Sequence, residues 1–297
     1  MTYEPIPQAR FHELIEAVCG RRYEGPRRTL SREDAERYGP IEDWDVSQVT
    51  NMNGAFAGCA SFNRDISRWD TSCTVNMRNM FYGARRFNQP IGRWNVSRVT
   101  NMRNMFHDAE AFDQPLENWD VSQVTSMNEA FAGCASFNRD ISRWDTSCTV
   151  GMRAMFYGAH RFNQPIGRWN VSRVKNMFRM FYDAQAFNQP LENWDTSRVV
   201  NMGEMFYGAL VFNAPLGRWD VSRMKYMDGM FAHTRSFAQP LGDWDVSRVE
   251  SMQECCLRAR AFRPQNTVGW RRPLRTTDRN ISVQARPPRH GPRDSRL

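Results

Sequence analysis

The chain has 297 residues, 41% of them hydrophobic and 24% charged, with a formal net charge of +8. From Arg263 onward nine Arg oppose Asp278 and Asp294, a net +7, which leaves +1 for residues 1–262 and excludes a body that is basic throughout. Seven Cys, an odd count without metal-type spacing, speak against a disulfide framework or a zinc site and lead us to expect free thiols.

In chain order, Met1–Leu14 holds no apolar run fit for a signal peptide, and nowhere are there about 18 consecutive apolar residues to span a membrane. Taken alone, this reads as a soluble, cytoplasmic chain. Phe11 to Val18 has helical apolar spacing. With Asp34 to Tyr38 it is expected to form a helical N-terminal cap over residues 1–40, covering the first unit of a repeat array.

Tryptophan then recurs every 25 residues: Trp44, Trp69, Trp94, Trp119, Trp144, Trp169, Trp194, Trp219 and Trp244. An unbroken period of this size marks a solenoid. Three residues before each Trp stands Ile or Leu, as in Ile41 and Leu116, and two after it Val or Thr, as in Val46 and Thr71. Period two across Trp and Val predicts a short strand with those side chains inward. After a constant Ser, expected to cap a helix, Val49, Met52, Ala55 and Phe56 give one helical face. Gly58, Gly83, Gly133, Gly158 and Gly208 come next, where a left-handed terminator is wanted.

A second Phe column (Phe62, Phe87, Phe112 onward) precedes an Asn column (Asn63, Asn88, Asn138, Asn163, Asn188, Asn213) expected to form a hydrogen-bonded ladder between turns. The Met columns read as core. The predicted fold is an α/β repeat solenoid, leucine-rich-repeat-like, with about nine coils over residues 41–263, each with one short parallel strand and one short helix. Residues 44–118 and 119–193 form a larger duplication in which 64 of 75 positions agree, and none of the 11 differences falls between the Ile and the Ser that flank each Trp. Beyond Phe262 the repeat is expected to stop, with Trp270 one residue out of register, and residues 264–297 read as an Arg/Pro-rich disordered tail.

The repeat resembles that of the BspA-like leucine-rich-repeat surface proteins, W-D-V-S-x-V-T-N-M-x-x-M-F followed by F-N. Trp94 to Met102 with Met105-Phe106, and Trp44 to Met52, match it, and the resemblance runs from Ile41 to about Arg263 in nine copies. It implies a scaffold of surface and adhesion type without catalytic residues, in contrast to the cytoplasmic default. Cys73-Thr74-Val75 and Cys148-Thr149-Val150 depart from it by inverting the x-V-T order.

No catalytic or metal constellation emerges: the five histidines share no column and there is no Gly-rich phosphate loop. We therefore expect no enzyme, no metal and no cofactor, in a monomer. The charged residues on either side of Trp are the candidate partner-binding set: Arg68, Asp70, Arg93, Asn95, Arg143, Asp145, Arg168 and Asn170. Nine equivalent Asp or Asn beside Trp also suggest a repeated structural role. The expected partner is a protein, or a glycan, on the strand-lined face. The alternative is nucleic acid or another acidic partner held by the Arg-rich tail, aided by Arg98, Arg173, Arg198, Arg223 and Arg248.

Overall fold

The computed structural model describes residues 3–20 and 29–270; the expected disordered tail beyond Trp270 lies outside the described residues. Two helices precede the repeats, α1 (Gln8–Cys19) and α2 (Arg32–Tyr38). Helix α1 buries Phe11, Leu14 and Ile15 and ends at left-handed Gly20, whose N–H donates to the carbonyl of Glu16. Ser31 begins α2 by accepting a bond from the N–H of Asp34 at 2.9 Å.

The coils after α2 are stacked in register at a spacing of 25 residues. One parallel bridge column runs through all nine, from Asn51 through Asn76, Asn101, Ser126, Gly151, Asn176, Asn201 and Tyr226 to Ser251. This corrects the expected strand in two respects. The bridge lies seven residues after Trp, and it is a single residue wide in each coil. Around Trp itself the backbone turns, with the Trp69 N–H donating to the carbonyl of Ile66 at 3.2 Å.

The expected helix is also absent. Between Met52 and Gly58 alternate N–H groups leave the coil: those of Met52, Gly54, Phe56 and Gly58 donate to Asn76, Arg78, Met80 and Tyr82 of the next coil at 2.6–2.9 Å. The N–H groups between them close tight turns, Ala55 to Met52, Ala57 to Gly54 and Cys59 to Phe56. Packed helices need axes roughly 8–10 Å apart, whereas backbones joined by such bonds lie about 4.8 Å apart, so a ladder of this kind excludes a helix in every coil. The turns require left-handed backbone at two places per coil, ten and fourteen residues after Trp, for instance Gly54 (φ 67°) and Gly58 (φ 72°), or Asn79 (φ 54°) and Gly83 (φ 67°). The Ser residues thus cap no helix.

Inside, each of the nine Trp from Trp44 to Trp244 is 2–4% exposed. Indoles of adjoining coils stack nearly parallel in three runs, Trp44 to Trp94, Trp119 to Trp169 and Trp194 to Trp244, with centroids 6.2–6.5 Å apart. The two Phe columns stack likewise, Phe81 on Phe106 at 5.6 Å and Phe87 on Phe112 at 6.0 Å. From Trp69 on, each indole also donates to the Ile or Leu carbonyl one coil back, as Trp69 does to Ile41 at 2.9 Å, while that of Trp44 donates to the carbonyl of Gly39 at 3.0 Å. A buried Trp keeps its N–H satisfied in this way while its ring fills the core.

The Asn column forms the ladder its position implied: the N–H groups of Asn88, Asp113, Asn138, Asn163, Asn188, Asn213 and Ala238 each donate to the side-chain oxygen of the residue 25 positions earlier at 2.8–3.0 Å. The inverted Cys-Thr-Val order has a simple cause. Thr74 and Thr149 take the buried Val position and donate to the carbonyls of Val49 and Val124, leaving Val150 45% exposed.

The ends are closed by substitution. In the first coil the carboxamide oxygen of Gln8 accepts from the N–H groups of Thr50 (2.9 Å) and Asn51 (2.8 Å), which in later coils pair with the coil before. Cys19 of α1 is disulfide-bonded to Cys59, with Cα atoms 5.8 Å apart, which corrects the expectation of free thiols throughout. Their sequence separation of 40 is no recognisable spacing; only the docking of the cap brings them together. Cys73, Cys134, Cys148, Cys255 and Cys256 are free. At the other end the array passes its expected stop. A 3-10 turn over Pro264–Thr267 absorbs the one-residue offset, and Trp270 stacks on Trp244 at 6.4 Å and donates to Leu241 at 2.7 Å.

Candidate functional site

Trp is the inward residue of an alternating triplet, so its two neighbours point outward in every coil. Arg68, Arg93, Arg143 and Arg168 precede it and are exposed; Asp70, Asn95, Asp145 and Asn170 follow it and are exposed. Register places equivalent residues of adjoining coils side by side. The structure therefore assembles Arg68, Asp70, Arg93 and Asn95 from two neighbouring coils, and Arg143, Asp145, Arg168 and Asn170 from another pair three coils on. Between the pairs, Asn118 takes the Arg place.

The two rows differ in how they are held. Each Asp or Asn folds its Oδ1 onto the N–H of the Ser two residues later: Asp70 to Ser72 at 3.0 Å, Asn95 to Ser97 at 3.1 Å, Asp145 to Ser147 at 2.9 Å and Asn170 to Ser172 at 3.1 Å. These are Asx turns, in which a short side chain supplies the acceptor that turns the backbone. The Ser bonds hold the carboxyls of Asp70 and Asp145 below the ordinary aspartate range. The structural role suspected of this column is thus present, built on the turn after Trp.

The arginines are not held. Arg68 is 83% exposed in its side chain and comes only to 3.8 Å from Asp43, and Arg93, Arg143 and Arg168 pair with no acidic group among the described residues. A row of guanidiniums on a rigid backbone, each free to turn its planar fork outward, can bind carboxylate, phosphate or sulfate. Among the described residues no group of three His, Cys, Asp or Glu could hold a metal. None of the described helices is long and apolar enough to cross a membrane.

Sequence reasoning did not find a second feature, on the turn ladder. Tyr157, Tyr182 and Tyr207 stack at 4.7 and 4.5 Å, and His233, one place out of register with them, lies 4.8 Å from Tyr207 with its ring tilted by 37°. The signal lay in the sequence as a Tyr column thirteen residues after Trp. Without knowing that this segment is a ladder, its residues could not be placed above one another.

A family model described as "Mycoplasma protein of unknown function, DUF285" matches residues 29–135, 114–209 and 166–270. No curated protein matches the sequence. Of the solved structures, a TLR13–ssRNA13 complex is similar at 9% identity over 69% of this chain and 34% of that chain, with a TM-score of 0.26. This chain thus spans about a third of the TLR13 chain's length. An internalin (inlF) from Listeria monocytogenes str. 4b F2365 is similar at 7% identity over 82% of this chain and 83% of that one, with a TM-score of 0.18.

Proposed function

This chain belongs to the family described as Mycoplasma proteins of unknown function, DUF285, and from that premise we propose that it is a non-enzymatic repeat scaffold of adhesion type, binding a partner protein along the face beside its tryptophans. The observation that carries the reading is the set of exposed, unpaired arginines Arg93, Arg143 and Arg168, with the loosely held Arg68, presented in register by a backbone whose Asp and Asn neighbours are already committed to turns. The resemblance of the repeat to BspA-like surface proteins agrees with it. So does the Cys19–Cys59 disulfide, because such bonds persist in oxidising surroundings outside the cytosol. Partners suited to this face are proteins, or glycans, that carry acidic groups.

Replacing Arg68, Arg93, Arg143 and Arg168 together by Ala tests the reading. Partner capture by the variant is expected to be lost while its circular dichroism and melting stay those of the parent; undiminished capture would sink the proposal. The concentration of +7 beyond Phe262 favours a second reading, in which the tail holds nucleic acid or another acidic partner. That binding would fall steeply with salt and disappear on truncation after Phe262.

A further inference from the structure

The left-handed position ten residues after each Trp departs from repetition. It holds Gly54, Asn79, Asn104, Glu129, Ala154, Arg179, Glu204, Gly229 and Glu254. Every copied pair in this column differs between the two 75-residue blocks (Gly54 and Glu129, Asn79 and Ala154, Asn104 and Arg179), whereas no pair beside Trp does.

Arg179 shows what the column can hold. Its guanidinium donates to the carboxylate of Glu204, one coil on, through Nε at 2.9 Å and Nη2 at 3.2 Å. It also lies 4.8 Å from the centre of the Phe178 ring and 5.4 Å from that of Tyr182. Carboxylate on one side and aromatic faces on the other are the two surroundings a guanidinium prefers.

Two coils later the carboxylate recurs with the guanidinium missing, while Ala232 stands where Arg179 has Tyr182. Gly229 puts no side chain into the column, and the gap is part of a cleft of about 440 Å³. Glu254 stands one coil beyond Gly229, as Glu204 does beyond Arg179. A Cβ at Gly229 would stand 3.1 Å from the Cγ of Glu204 and 3.8 Å from a ring carbon of Tyr207. Asp228 replaces Phe178 as the preceding residue and is fixed by the Ser251 hydroxyl and by the N–H of Gln253 at 2.8 Å. Glu254 is exposed and pairs with no basic group among the described residues. With Glu204 already matched by Arg179, Asp228 and Glu254 leave two negative charges around the gap.

We propose that this cleft is a binding site for an arginine side chain of a partner polypeptide, whose guanidinium sits over Gly229 between the carboxylates of Asp228 and Glu254. The planar fork bonds to carboxylates through two nitrogens, as that of Arg179 does to Glu204, a geometry that a lysine ammonium fills less well. The site shares no residue with the rows beside Trp and stands or falls apart from them.

The test uses the full chain and a fluorescein-labelled arginine–glycine repeat peptide, followed by anisotropy at about 150 mM salt, with the lysine–glycine counterpart alongside. Saturable binding of the arginine peptide, weaker binding of the lysine peptide, and a loss of about tenfold in Glu254→Gln are expected, since the latter removes one charged acceptor at an exposed position. Gly229→Arg supplies the guanidinium from within at a φ of 57°, close to the 58° of Arg179, with its Cβ 3.1 Å from the Cγ of Glu204, and is expected to block the peptide while melting somewhat lower than the parent and keeping its circular dichroism. Equal binding of both peptides, or undiminished binding by Glu254→Gln and Gly229→Arg, overturns the proposal. Changing the arginines after Trp270 to Ser is expected to leave peptide affinity unchanged. A rise would show the chain's own tail in the cleft and overturn the assignment to a separate polypeptide.

Discussion

The indole nitrogen of Trp144 donates to the carbonyl of Leu116 at 3.0 Å, 28 residues back in sequence and one coil below in space. The same ring stacks on Trp119 at 6.5 Å and on Trp169 at 6.2 Å. Trp144→Phe keeps an aromatic ring and removes one of two bonds to a carbonyl that still accepts from the Trp119 N–H at 3.1 Å, so a loss of about 1 kcal/mol is expected. Trp144→Ala adds a cavity and should cost about 3–5 kcal/mol. Urea unfolding measures both, and hydrogen exchange should show the central coils opening before the outer ones, because each coil leans only on its neighbours.

Asn138 accepts from the N–H of Asn163 at 2.9 Å and from the carboxamide of Gln164 at 2.8 Å. Asn138→Ala leaves the Asn163 N–H to solvent, while the Gln164 carboxamide keeps the backbone carbonyl of residue 138 at 2.9 Å, and is expected to lower stability by about 1 kcal/mol. Asn138→Asp should be nearly neutral, because Asp113 already fills the same column and accepts from Asn138 at 3.0 Å. Thermal melts of the two variants side by side check the contrast.

Ala154 is held at φ 50°, a conformation that crowds its Cβ. Ala154→Gly relieves that crowding and is expected to stabilise the chain by about 1 kcal/mol, in spite of the usual cost of glycine. A lower melting temperature would show that the lost packing at this buried site outweighs the relief.

The carboxyls of Asp70, Asp145 and Asp195 are held below the ordinary value of 3.8 by bonds from Ser72, Ser147 and Ser197. Since the folded pKa lies below the unfolded one, this contribution is complete above the ordinary aspartate value and is lost as pH falls through the depressed folded value. Asn95 and Asn170 make the same turn without a charge. Changing all three Asp to Asn is therefore expected to leave neutral stability nearly unaltered and to flatten its decline in acid. Denaturant midpoints from neutral pH downward test this.

Opening the Cys19–Cys59 bond frees a link that closes a loop of 40 residues, a contribution of about 4 kcal/mol by loop entropy. With dithiothreitol, or in Cys59→Ala, exchange protection of α1 is expected to fall while that of the central coils holds. Alanine suits the site sterically, since Ala84, Ala109 and Ala159 occupy it in other coils.

The sequence made the buried columns legible because a 25-residue period aligns Trp, Phe, Met and Asn with themselves, and any fold that stacks the copies must bury the same ones. It misled at Val49, Met52, Ala55 and Phe56. Their spacing of three, three and one suits a helix, yet it equally suits turns whose alternate N–H groups leave for the next coil. The choice depends on bonds between coils, which no local pattern reports. Gly54, Asn79 and Asn104, all tolerant of left-handed backbone, were the available hint. The Arg and Asp rows beside Trp were legible as outward-facing from period two alone. The Asx turns that occupy the Asp row were not assigned, and the gap at Gly229 was invisible until its neighbours 25 residues away stood beside it.

The bridge column from Asn51 to Ser251 also bears on how such a chain changes length. Each coil meets the next through the same donors, acceptors and ring faces, so a join made after any whole number of coils recreates an interface already present. The copy of residues 44–118 as 119–193 is such an event, and it explains Cys134 as the copied Cys59, buried in mid-array with no cap helix to meet it. Size is thereby a discrete variable for this molecule. Slippage during replication can add or delete reach in steps of one coil while both closed ends stay as they were.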